Sequence, residues 1–147
     1  MAEVSVVGPD DGERLRIGSE VTMRVLEDGT TTGHRLGVAE GTVAPHTGGP
    51  PQHRHALHDE GFYVISGLLR FTVGRREYDA GPGTLVVVPP GVPHTFANPG
   101  DEPARALTTF TTAGYTGYFR ELAGAHPGEI EELMARYATV ITDEYAP

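Results

Sequence analysis

Glycine and proline supply 32 of the 147 residues, and between residues 28 and 100 they cluster at breaks between short apolar runs. The breaks are Asp28-Gly29, Gly48-Gly49-Pro50-Pro51, Ser66-Gly67, Asp79-Ala80-Gly81-Pro82-Gly83, Pro89-Pro90-Gly91 and Asn98-Pro99-Gly100. Such residues set the backbone angles of tight turns, so the chain is punctuated for strands rather than for long helices. Val21, Met23 and Val25 alternate with Thr22 and Arg24, the period-two pattern of a half-buried strand. Leu36 to Val43, His53 to Leu57, Phe62 to Ser66, Leu68 to Val73, Leu85 to Val88, His94 to Ala97 and Ala106 to Phe110 also read as extended. This spacing predicts an all-β sandwich or barrel.

After about residue 114 the period changes. Tyr115, Tyr118, Phe119 and Leu122 fall on one helical stripe, and Ile130, Leu133, Met134 and Tyr137 repeat it. Pro127 suits a first helical turn, and Glu129, Glu131 and Glu132 sit where a helix dipole favours negative charge. Two short C-terminal helices packed on the outside of the sheet are expected, with a lid over a pocket as the lesser reading. The chain is read as one domain over residues 1–147, a barrel of about 4–112 followed by a helical segment of about 113–147.

Composition removes whole classes of chemistry. The formal net charge of −9 opposes binding to nucleic-acid phosphates or anionic lipid. No apolar run has membrane-spanning length and the start lacks a signal-peptide pattern, so a cytoplasmic location is expected. The chain has no cysteine, hence no disulfide, thiolate nucleophile or sulfur ligand. All eleven basic residues are arginine, which excludes a Schiff-base lysine. Histidine, carboxylate and hydroxyl chemistry remain.

That chemistry concentrates in residues 48–67 and 83–98. On a strand, residues i and i+2 share a face, so His53 and His55 can aim at one point while Arg54 faces away. Glu60 lies beyond a short turn, where the next strand returns past that point, and His94 follows the rigid corner Pro89-Pro90-Gly91. Three imidazoles and a carboxylate suit one divalent transition ion per chain: iron, nickel, manganese, cobalt, copper or zinc, rather than calcium. Octahedral coordination by four such ligands would leave two positions open, as catalytic metals require.

These two stretches resemble the two motifs of the cupin superfamily. The first is matched by His53, His55, Glu60 and Gly67, the second by Gly83, Pro89, Gly91, His94 and Asn98. The resemblance spans about residues 20 to 112 and implies a jelly-roll β-barrel with the metal inside, in a homodimer. The apolar stretch Val4 to Val7 is available as an edge strand for such pairing. Within the superfamily, residues 49–67 resemble single-domain cupins of the quercetin dioxygenase-like group. In that group the corresponding glutamate serves as both ligand and general base, a role the resemblance implies for Glu60.

The remaining candidates divide by position. His58 falls at the turn and outside the motif, so it is read as a solvated surface histidine, as are His34, His46 and His126. Of these, His46 is the one placed to reach the barrel mouth. Gly67, Gly83 and Gly91 serve turn geometry, and Asn98 steadies a turn. By strand parity Phe62 and Val64 share the face of Glu60, and Phe96 that of His94, giving an apolar, aromatic substrate pocket. No arginine is placed inward, so the expected small-molecule substrate is neutral or aromatic rather than a small dianion. The leading expectation is a metal-dependent dioxygenase acting on a hydroxylated aromatic, flavonol or polyketide-like compound. An oxygen-independent isomerase, cyclase or decarboxylase, and a non-catalytic ligand-binding barrel, are the alternatives.

Overall fold

The computed structural model describes residues 3–142. Eleven strands and two helices follow in the order β1 (Glu13–Ile17), β2 (Val21–Glu27), β3 (Gly37–Val43), β4 (His53–His55), β5 (Glu60–Ser66), β6 (Leu69–Val73), β7 (Arg76–Ala80), β8 (Leu85–Val88), β9 (His94–Ala97), β10 (Ala104–Phe110), α1 (Tyr115–Gly124), α2 (Ile130–Arg136) and β11 (Thr139–Ile141). A 3-10 turn, Pro127–Glu129, leads into α2.

The strands form a six-stranded sheet, β1-β2-β3-β10-β5-β8, and a five-stranded sheet, β11-β4-β9-β6-β7. From β3 to β10 the chain crosses between the sheets at nearly every turn, as in a jelly roll. No strand pairing joins the two sheets among the described residues, so the architecture is two open facing sheets rather than a closed barrel. Side-chain packing holds them together: Val43, Phe62, Val64 and Ala106 from one sheet meet Leu69, Phe71 and Ala80 from the other in one core. Phe62, Phe71 and Phe96 pack with ring centroids 5.0 to 6.5 Å apart across this core.

All eight expected strands are present, with ends shifted by a few residues. Three further strands carry weak sequence signals. β1 is an edge strand exposed along much of its length, and β7 (REYDA) is an edge whose first four residues are exposed. The third, β11, is only three residues long. Val4 to Val7 form no strand with the rest of this chain, and Val4 and Val6 are more than 80% exposed.

The helices depart from their expected place. They do not lie on an outer face: Tyr115, Tyr118, Leu133 and Met134 are buried with Met23, Ala39 and Phe110, whose side chains face between the sheets. α1 contacts β1 and β3 of the larger sheet, while α2 contacts β11 of the smaller, so the pair spans one end of the sandwich. Arg120 secures α1 from outside, with its guanidinium 2.6 Å from Glu13 and 3.0 Å from Asp28. No helix among the described residues is long and apolar enough to cross a membrane.

Candidate metal centre

Strand geometry brings the motif residues together. β4 is three residues long, with His53 and His55 on its buried side and Arg54 between them facing out. Its neighbour β9 places His94 directly opposite His53 in the antiparallel register. Glu60 opens β5 in the facing sheet. All four side chains are buried, with His94 1% and Glu60 5% exposed. The three imidazoles offer ligand atoms within 4.8 Å of one another, and their ring centroids are 4.6 to 5.1 Å apart.

Hydrogen bonds to backbone carbonyls fix which nitrogen His53 and His94 present. His53 Nδ1 lies 2.9 Å from the Pro51 carbonyl and His94 Nδ1 lies 3.0 Å from the Val92 carbonyl. A carbonyl only accepts, so each Nδ1 carries the proton and each Nε2 keeps its lone pair when the ring is neutral. His55 Nδ1 is 2.9 Å from Thr139 Oγ1. The Nε2 atoms of His55 and His94 then point at one carboxylate oxygen, Glu60 Oε2, at 3.0 and 3.1 Å.

A lone pair facing an ionised carboxylate is repulsive. The contact is favourable once a proton or a cation lies between them. Burial works against the Glu60 charge, yet the hydrogen bonds and charges of His55 and His94 outweigh it and hold the carboxyl at about 2. Burial, reinforced by His94, pushes His53 down to about 4, so this ring is a neutral donor at physiological pH. Neutral imidazole nitrogens around a buried carboxylate fit a borderline divalent ion, and His53, His55, Glu60 and His94 could hold one.

His58 is not a surface residue. It is 3% exposed, stacked on His55 at 4.4 Å, and in contact with Tyr115 and Phe110. Burial lowers it to about 4, with His55 adding to the effect, and its Nε2 has no hydrogen-bond partner. Turn position could not reveal this, because the aromatic residues that cover His58 lie about fifty residues further along the chain. His34, His46 and His126 are exposed, and His46 pairs with Asp101 at 2.8 Å rather than reaching the cluster. Asn98 is buried, donating to the carbonyls of Val43 and Glu102 and accepting from Gly100 N–H.

A cavity of about 700 Å³ opens onto the cluster. Phe62 and Phe96 line it, whereas Val64 lies in the core behind its wall. The other walls include Met23, Val43 and Leu69 from the sheets, and Tyr115, Tyr118, Phe119, Leu122, Ile130 and Met134 from the helical segment. Sequence parity missed the helical half, since it relates only residues within a strand. No arginine is among the lining residues. Burial, with the Glu60 charge nearby, raises Tyr118 to about 12 and Tyr115 well above its ordinary value, so both remain neutral phenols at neutral pH.

Known proteins agree with this architecture. Residues 39–110 match the family described as Cupin domain. The structure is similar to KdgF from Halomonas sp., 15% identical with a TM-score of 0.66, over 75% of this chain and 94% of that one. It is also similar to the polyketide cyclase RemF from Streptomyces resistomycificus, 25% identical with a TM-score of 0.65, over 74% of this chain and 79% of that one. A sugar phosphate isomerase of the cupin superfamily from Silicibacter pomeroyi is 28% identical with a TM-score of 0.63, over 72% of this chain and 74% of that one. No curated protein matches the chain. The matched cupin domain contains every residue of the buried histidine and glutamate cluster, and the match together with these structural neighbours supports the cupin superfamily for this chain.

Proposed function

We propose that this protein is a metal-dependent enzyme for a neutral, hydroxylated aromatic or polyketide-like compound, with dioxygenation as the reaction. The cavity carries the reading: aromatic and aliphatic side chains enclose about 700 Å³ beside the histidine cluster, with no arginine in the lining. A dianion entering it would find no arginine side chain to pair with its charge, whereas a flat phenolic ring would be desolvated favourably by the apolar walls.

His53, His55, Glu60 and His94 would hold the ion, which when bound would supply Lewis acidity toward a substrate oxygen. The chain's own residues do the rest. Phe62, Phe96 and Phe119 give the ring apolar surfaces and exclude water. Tyr118, a neutral phenol lining the cavity, can donate a hydrogen bond to a substrate oxygen. Glu60 is the buried carboxylate of the cavity, and in this reading its oxygen accepts the proton of the substrate hydroxyl.

A second reaction, oxygen-independent cyclisation or isomerisation, is favoured by the similarity to the polyketide cyclase RemF. The first experiment is elemental analysis of protein purified without chelator or nickel affinity, wild type beside His94→Ala. Bound metal in the wild type alone supports the site. Turnover of flavonols and polyketide phenols is then followed with and without oxygen. Product formed only with stoichiometric oxygen uptake supports dioxygenation, and equal anaerobic turnover moves the assignment to cyclisation. Absence of metal in the wild type after reconstitution would falsify both. Glu60→Gln is expected to retain part of the metal and lose turnover, and full activity in that variant removes the proposed base.

A further inference from the structure

Thr139 lies on β11, beyond the matched cupin domain, yet its hydroxyl is 2.9 Å from His55 Nδ1. The residue is 1% exposed. β11 pairs with the ligand strand itself, with Thr139 opposite His55, Val140 opposite Arg54 and Ile141 opposite His53. Two further backbone bonds extend the contact, Ala56 N–H to the Ala138 carbonyl and Thr142 N–H to the Gln52 carbonyl.

The direction of the side-chain bond follows from what surrounds the hydroxyl. Thr139 Oγ1 is 3.3 Å from the Tyr137 carbonyl, which can only accept, and 3.4 Å from Tyr115 Oη. Its single hydrogen is directed to one of these, leaving a lone pair for the proton on His55 Nδ1. The carbonyls of Pro51 and Val92 perform the same service for His53 and His94. Those two carbonyls come from residues within the matched domain, two positions before their histidines. His55 alone depends for its orientation on a side chain from the C-terminal segment.

We propose that Thr139 is a positioning residue that fixes the Nδ1–H tautomer of His55 and so directs Nε2 to the metal. The proposal rests on the metal-dependent reading above. With the hydroxyl removed, a buried N–H would lose its acceptor, and His55 could turn or exchange its proton to Nε2, where it would compete with the ion. The C-terminal strand is then part of the metal site and not only a cover for the sheet edge.

The test is the zinc affinity of Thr139→Val and Thr139→Ser, measured by competition with a chromogenic chelator, beside the thermal midpoint of each protein without metal. Valine keeps the shape and serine keeps the oxygen. The expected result is zinc binding weakened about 10- to 100-fold in the valine protein and close to wild type in the serine protein. Equal affinity for valine and wild type overturns the proposal. Nitrogen-15 NMR of the histidine rings in zinc-loaded wild type gives an independent reading that needs no variant to fold. It should show His55 protonated on Nδ1 and bound through Nε2, and the reverse assignment overturns the proposal. Failure of the wild type to take up zinc overturns the metal reading beneath it.

Discussion

The buried histidines of the cluster and their polar neighbours are packed by residues that differ in how far away they lie along the chain. The acceptors for His53 and His94 are two residues upstream, so those rings are oriented by local strand geometry. The alternation that places His53 and His55 on one face is equally local, which is why their shared direction could be read from spacing. His58 shows the opposite case: its burial depends on Tyr115 and Phe110, and nothing in its own neighbourhood announces it. Asn98 lies between the extremes, bridging the Val43 carbonyl fifty-five residues away and the Glu102 carbonyl four residues away. Asn98→Ala would leave the buried Val43 carbonyl, the partly buried Glu102 carbonyl and the Gly100 N–H with lost partners. It is expected to lower stability by about 1–3 kcal/mol, measured by chemical denaturation. A change near zero would show that water replaces the amide.

At the scale of elements, strands with a clear apolar alternation were legible and charged edge strands were not. β7 has nothing to alternate except at Ala80, because an edge strand facing solvent has no inner and outer hydrophobic sets to distinguish. β11 is defined by its pairing with β4, across more than eighty residues of sequence. The helices had the correct stripe but lacked an address, since a 3.6-residue period says that a face is buried and not against what. Arg120 supplies part of that address by joining α1 to Glu13 and Asp28. The hydrogen bond to Arg120, with help from Thr30, lowers the Asp28 carboxyl below its ordinary value. Its folded-state value being depressed, this contribution is present above the unfolded carboxyl range and is lost as pH falls through the folded value. Arg120→Ala is expected to cost under about 1 kcal/mol at neutral pH, because the pair is partly exposed. The difference from wild type should shrink in strongly acidic buffer, as followed by thermal melts. A difference that grows with acid would contradict the assignment.

The cavity is a property of the whole molecule. Its sheet walls come from both sheets and its remaining walls from the helices that span their open end. Leu122, partly buried on α1, faces this space far from the imidazoles in sequence and outside the matched domain. Leu122→Ala should enlarge the pocket and shift relative KM values toward bulkier phenols while leaving zinc affinity unchanged. Unchanged KM ratios across a substrate series would reduce the helices to packing. The sequence by itself determined the β class, the turn positions, the helical stripes and the four residues, His53, His55, Glu60 and His94, that cluster. Those features rest on periods of two and 3.6 residues and on short motif spacings, all of which are local. Tertiary structure alone decided that the sheets stay open, that the helices cover one end, that His58 is buried and that Thr139 meets His55. Each of these joins residues distant in sequence, and burying apolar surface fixes such meetings through the packing of the complete chain.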